Sequence, residues 1–370
     1  MLPIQQAIKS ISKKLGDIPL GKPSFADPRY KPYDFDVKNF HQINKNNGKS
    51  MLSFIDGGNM PIINAHNFSL QLIRIYFNLF KGIKRVEPKY IPPRIEFYTV
   101  CYAVGNEGKI SYETEFVPVK KEWSRFLPDN NDLSIDSFDK TLSIGLKRVP
   151  INRVAGAARL FAEWKYAGTI LEEELDPEDI IVRDGTLQTV VTNESKYYSE
   201  TINKAIKKNV KLLGLSKTST LFTSTGYSLL AAISELSENS PLKNSSWFYH
   251  PIVDITHPDH RAEMYAVKLH PSSDYVFRLE FLRPQAKIMS FEEKEEIINV
   301  LSFNSADASF PGYPYGLLDA DRLARVDFNE RENQKIQFLS CASKEKVLSR
   351  LKKCLKSTDA HDVLNRLIGG

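Results

Sequence analysis

Cysteine is scarce in this chain. Its three copies, Cys101, Cys341 and Cys354, are odd in number and have no ligand-like spacing. That argues against a disulfide framework and against a cysteine-based zinc site, and it suits a reducing compartment, the cytoplasm. Long hydrophobic runs are missing too. A membrane span needs roughly 18 or more apolar residues, and the best candidate, Phe68–Phe80, is broken by Gln71, Arg74 and Asn78. It is expected to be a core helix, although the run is also strand-like, and no membrane partner is expected. Met1–Lys14 has helical spacing and lysines but no apolar segment ahead of a small-residue cleavage site, so export is not indicated. A nucleotide-binding loop is also lacking. Gly48-Lys49-Ser50 looks like the end of one, but the first glycine of that motif falls at Ile43 and a strand, not a helix, is expected to follow.

What is present is an ordinary globular composition. Hydrophobic residues make up 42% of the 370 and charged residues 26%, which rules against wholesale disorder. The net charge of +5 permits a nucleic-acid partner without requiring one, because such a face works through local lysine and arginine density. Lys204–Lys211, Arg278–Arg283 and Lys344–Lys356 have that density, and each also reads as a solvated face.

Residues 1–48 read as an arm, helical at first and then rich in Pro, Asp and Asn. From Met51 to Ile55 a buried strand is expected, ended by Asp56-Gly57-Gly58, with Pro61-Ile62-Ile63 as its hairpin partner. Arg94–Val104 and Ile110–Val119 form a second hairpin around Gly105–Gly108, inside an insertion of about residues 94–145. A helix from Ile151 to Leu171, a strand Asp179–Val182, a helix Tyr198–Asn209 and a strand Val210–Leu215 follow. Then come a helix near Ser228–Leu236, strands Tyr265–Leu269 and Val276–Phe281, a helix Phe291–Phe303 and helices after Pro314 and around Lys344–Leu355. The alternation indicates an α/β fold, with a domain over 49–333 and a helical C-terminal segment over 334–370.

Two strands end in Asp-Gly, at Asp56-Gly57 and Asp184-Gly185. In α/β sheets functional groups gather at strand ends, although Asp-Gly is also the commonest tight turn. Between them Glu163 shares a helical face with Gly156, Leu160 and Ala167, so it either serves a site or pairs with Arg159 one turn away. A fourth acid, Asp321, lies on the face of Leu317, Ala320 and Ala324, while Asp319 reads as an ordinary first-turn acid. Carboxylates gathered without cysteine or clustered histidine suit a hard cation, magnesium or manganese. Two such ions about 4 Å apart can drive phosphodiester hydrolysis without a nucleophilic side chain. Lys217 either contacts a substrate phosphate or lies exposed in a polar loop, and Arg278, Arg283 and Tyr313 are further candidates for DNA contact. His250, Asp254, His257 and His260 have ligand chemistry but read as a polar surface loop beside Pro251 and Pro258.

The order of these pieces resembles the NurA-type nucleases of DNA end processing. The matching segments are Ile55-Asp56-Gly57, the helix with Glu163, Arg183-Asp184-Gly185-Thr186-Leu187, Gly214-Leu215-Ser216-Lys217-Thr218-Ser219 and Gly312-Tyr313-Pro314-Tyr315-Gly316-Leu317. The resemblance implies a ribonuclease H-like core of mixed sheet flanked by helices, with an inserted hairpin and extra terminal helices. It implies that Asp56, Glu163 and Asp184 bind manganese or magnesium and, with Asp321 and Lys217, carry a metal-dependent deoxyribonuclease activity. Many members have a histidine where this chain has Asp321. A homodimer, DNA as substrate and a HerA-type hexameric ATPase as partner are implied in the same way. Two other readings stay open: a non-catalytic DNA-binding adaptor for a motor ATPase, and a phosphoesterase acting on RNA or a small ester.

Overall fold

The computed structural model describes residues 2–15 and 18–356. Its backbone divides into two units, one of residues 50–182, 189–211 and 316 onward, the other of residues up to 49, 183–188 and 212–315.

In the first unit aromatic and β-branched residues between Met51 and Lys81 build two antiparallel strands of 14 residues each, Met51–Asn64 and Phe68–Lys81. Two expectations are corrected here. Phe68–Phe80 is not a helix: it is buried on both faces, so the alternation that marks a half-exposed strand is absent from its sequence. Pro61-Ile62-Ile63 is not a hairpin partner either, because the first strand continues straight through Asp56-Gly57-Gly58, with a bulge between Pro61 and Ile63. The strand order is residues 180–182, Met51–Asn64, Phe68–Lys81, Arg94–Asn106, Lys109–Pro118 and the short Ile135–Asp136. The hairpin around Gly105–Gly108 forms as expected.

Side chains alternate across this sheet, and each face has its own helices. Odd-numbered positions of the central strands face the helix Ile151–Glu173, where Phe77 meets Tyr166 edge to face. Even-numbered positions face the helix Tyr315–Ala324, where Tyr76 packs with Ala320 and Ala324, and the helix Phe328–Lys344, whose Phe338 joins Ile62 and Leu72. Phe328–Lys344 begins ahead of the segment expected to be helical from 334, and Ala342 is its single buried residue. The C-terminal segment continues helically over 348–356, and residues 357–370 lie outside the described residues.

The second unit is an antiparallel sheet in the order Phe40–Gln42, Trp247–Tyr249, Ala262–Lys268, Phe277–Leu282, Lys211–Ser216. The segment expected as an arm is woven into it. Phe40–Gln42 is a strand of this sheet, Tyr30–Pro32 pairs with Val253–Ile255, and Pro23–Ser24 pairs with Phe222–Thr223. The helix Leu229–Ser237 covers a core of Phe40, Trp247, Tyr249 and Met264.

Candidate metal centre

Asp56 sits in the middle of the longest strand pair, opposite Tyr76, and is 8% exposed. Being even-numbered, it faces the helix Tyr315–Ala324. Asp321 on that helix brings a carboxylate oxygen within 4.8 Å of one from Asp56. The next residue, Gly57, points the other way. A Cβ there would lie 2.6 Å from Oε1 of Glu163, 2.8 Å from Ile75 and 3.0 Å from Arg159, so the bare glycine makes room for Glu163 to press against the strand from the opposite face. Glu163 is fully buried and ion-paired with Arg159, which also donates to the Gly57 carbonyl at 3.1 Å. Of the two alternatives set for Glu163, the pairing with Arg159 one turn away is present, and Glu163 stands on the opposite face of the strand from Asp56.

The helix that carries Asp321 is fastened from beneath. Asn78 donates to the Gly316 carbonyl at 2.8 Å and to Asp319 at 2.9 Å, and Arg85 pairs with the same Asp319 carboxylate. Asp319 is therefore more than the ordinary first-turn acid expected from the sequence: it is 3% exposed and anchors the helix. Asp321 keeps a third of its side chain exposed and meets Arg325 at 2.7 Å.

In the other unit Asp184 closes its strand, and the turn after it is fixed by several bonds. Gly185 adopts φ +110°, which a side chain would strain, and donates to the Leu215 carbonyl at 2.8 Å. Arg183 Nη1 donates to the Thr186 carbonyl at 2.8 Å, and the Leu187 N–H donates to Glu280 at 2.7 Å. Lys217, the first residue after the strand Lys211–Ser216, sets its ammonium 2.6 Å from Asp184 Oδ2 and 5.7 Å from the centre of the Tyr313 ring. Tyr313 is 1% exposed, with its hydroxyl 3.4 Å from Asp184 Oδ1.

The remaining candidates have partners within the protein. Arg278 is buried, and its Nε donates to Glu280 at 2.6 Å, so its guanidinium is not presented to a DNA backbone. Arg283 pairs with Asp254 at 2.6 Å. His260 is no surface-loop residue: it is 1% exposed, with Nε2 2.9 Å from Glu280 and Nδ1 2.9 Å from the Tyr30 hydroxyl. Among the described residues the four His and Asp side chains of that segment form no metal-ligand group. The residues that sequence reasoning missed are Glu280, Asp319 and Asn78. Glu280 had a signal, since Arg278 and Glu280 stand two apart on one strand, the spacing of a same-face pair.

The NurA domain model matches residues 52–326 of the sequence. The chain belongs to the NurA family. Its fold is like that of the NurA nuclease from Sulfolobus solfataricus, with a TM-score of 0.53 at 14% identity over 93% of this chain and 95% of that one. A NurA crystallised with manganese gives a TM-score of 0.50 at 8% identity over 92% and 97%. No curated protein matches the chain by sequence. The NurA membership and the mixed α/β fold are those the sequence motifs led us to expect. Among the described residues no helix is long and apolar enough to cross a membrane.

Proposed function

We propose that this NurA-family protein is a metal-dependent deoxyribonuclease that hydrolyses DNA phosphodiester bonds. Asp56, Asp184 and Asp321 would be its metal ligands, Glu163 would back the Asp56 strand from its opposite face, and magnesium or manganese, two ions, would be its cofactor. The observation that carries the proposal is the approach of Asp56 and Asp321 within 4.8 Å. Two carboxylates so close, one of them largely buried, repel each other unless a proton or cation lies between them. A donor set made only of carboxylate oxygens fits a hard divalent ion. The manganese in a crystallised NurA supports the same choice.

When bound, such ions would polarise the scissile phosphate and lower the pKa of the attacking water. The protein's own groups hold and orient. Asp56 is fixed by the strand ladder on which it sits. Asp184 is fixed by the turn that follows it, and Asp321 by the anchored helix. The Lys217 ammonium, partly exposed beside Asp184, can exchange that carboxylate for a substrate phosphate. We extend the proposal to a homodimer acting with a HerA-type hexameric ATPase, on the family resemblance.

One observation favours a second reading, the non-catalytic DNA-binding adaptor. Three of the acids already have a basic neighbour: Glu163 has Arg159, Asp184 has Lys217 and Asp321 has Arg325. The deciding experiment is cleavage of end-labelled linear DNA with manganese, with EDTA, and with folded Asp56→Ala and Asp184→Ala proteins. The nuclease reading expects cutting that needs manganese and disappears in both variants. A wild-type protein that binds DNA and never cuts it would establish the adaptor.

A further inference from the structure

Glu280 has no exposed surface, yet it lies in a strand where apolar side chains would pack as well. Its Oε1 meets Arg278 Nε at 2.6 Å and His260 Nε2 at 2.9 Å, and its Oε2 accepts the Leu187 N–H at 2.7 Å. Burial alone would raise its pKa. The Arg278 guanidinium, then His260, then the Leu187 N–H outweigh that and bring it down to about 2. Glu280 is consequently ionised at neutral pH.

With Nε2–H of His260 donating to Glu280, Nδ1 accepts from Tyr30, and the 3.3 Å approach of Arg278 Nη2 to Nε2 is then a contact and not a second hydrogen bond. A buried ion pair is weak as a source of stability, since apolar replacements of similar volume often do as well. What this one grips is informative. Leu187 is three residues past Asp184, and Gln188 forms an isolated β-bridge with His260 itself. The turn 183–188 is thus held by Leu215 at Gly185, by Arg183 at Thr186, by Glu280 at Leu187 and by His260 at Gln188. The backbone at the head of so short a turn cannot shift without breaking one of these links.

We propose that Glu280 is a positioning residue for Asp184: by holding Leu187 it fixes the turn that aims the Asp184 carboxylate, and so sets the affinity of the site for its divalent cation. This rests on the reading of Asp184 as a metal ligand. Outer partners of metal ligands typically change metal affinity by about 10- to 100-fold when removed.

The test is manganese binding, followed by the paramagnetic resonance signal of the free ion, on full-length protein whose melting is recorded by circular dichroism. Asp184→Asn is the reference. Glu280→Gln is the probe, because one neutral amide cannot satisfy Leu187, Arg278 and His260 together. Ser302→Ala is the stability control: it removes a buried hydrogen bond to the Leu269 carbonyl in the same unit. Asp184→Asn and Glu280→Gln should each weaken binding by about 10- to 100-fold, while Ser302→Ala melts earlier and binds as wild type. If Glu280→Gln does not fold, the double variant Arg278→Met/Glu280→Leu removes the ion pair as a unit and carries the same comparison. Weakened binding in Asp184→Asn with wild-type binding in the Glu280 variant overturns the proposal and leaves the Asp184 assignment standing. Wild-type binding in Asp184→Asn removes that assignment, and the proposal with it.

Discussion

Lys217 and Asp184 stand 2.6 Å apart, Nζ to Oδ2, with the ring of Tyr313 5.7 Å from the ammonium. The lysine therefore neutralises the carboxylate until something with a stronger claim arrives. Under the nuclease reading, Lys217→Met should lower the cleavage rate at saturating manganese by about tenfold or more. The manganese midpoint should be unchanged or tighter, since a cation no longer displaces a lysine from Asp184. Rate against manganese concentration measures both, and a weakened midpoint with an unchanged limiting rate would make Lys217 a purely structural partner.

Gly316 lies against the ring of Phe54, so closely that any Cβ there would overlap Cδ2 and Cε2. Gly316→Ala should force the Tyr315–Ala324 helix off the strand and cost about 1–3 kcal/mol of stability, read as a fall in thermal midpoint. Adding Phe54→Leu, which clears the ring, should recover part of the loss. Equal melting of wild type and Gly316→Ala would show that this contact relaxes freely.

Acid should act through Glu280. Its folded pKa of about 2 lies below the ordinary value of 4.5. The stability it contributes is fully present above pH 4.5 and is lost as pH falls toward 2. Denaturant melts from about pH 6 to about pH 2 should fall less steeply for Arg278→Met/Glu280→Leu than for wild type across that window. Parallel slopes would mean that other carboxylates dominate acid unfolding.

The cysteines should divide by reactivity. Cys101 is buried, and that burial pushes its thiol up to about 12. At a pH near 8 it should stay unreactive toward a disulfide reagent in the folded protein, because the thiolate is the nucleophile. Cys341 is exposed and Cys354 partly so, and both should react quickly. Mass spectrometry of native and denatured samples identifies the labelled positions; fast labelling of Cys101 in native protein would contradict its burial.

Much of this was legible in the sequence, for reasons particular residues make clear. The strands of the Gly105–Gly108 hairpin alternate, and the helix with Glu163 and the strand before Asp184 are apolar runs bounded by turn residues, so all three form nearly where expected. Asp56-Gly57 was read as a strand end because that pair usually turns the chain. Here the strand is buried on both sides, and the two residues serve opposite faces of it.

The choice between Asp319 and Asp321 also turned on packing. Both lie on one short helix, and only the position of Asn78 and Arg85, some 240 residues earlier, makes Asp319 the anchor. Glu280 and His260 were hidden for a related reason: 20 residues apart in sequence, they meet only when neighbouring strands pair. The start of Phe328–Lys344, ahead of the segment expected to be helical from 334, escaped because a helix with one buried residue has too narrow an apolar stripe to show a period.

The Met51–Asn64 strand is bonded along almost its whole length to Phe68–Lys81, with a further strand on its other side. Amide protons around Asp56 can then exchange with solvent only when the ladder itself opens, the slowest event available to a sheet. Lys217, in contrast, begins a stretch outside any strand or helix. On gentle warming the lysine's attachment should loosen while the strand under Asp56 is still intact, so under the nuclease reading activity should fade at temperatures where most of the backbone signal remains, and return on cooling.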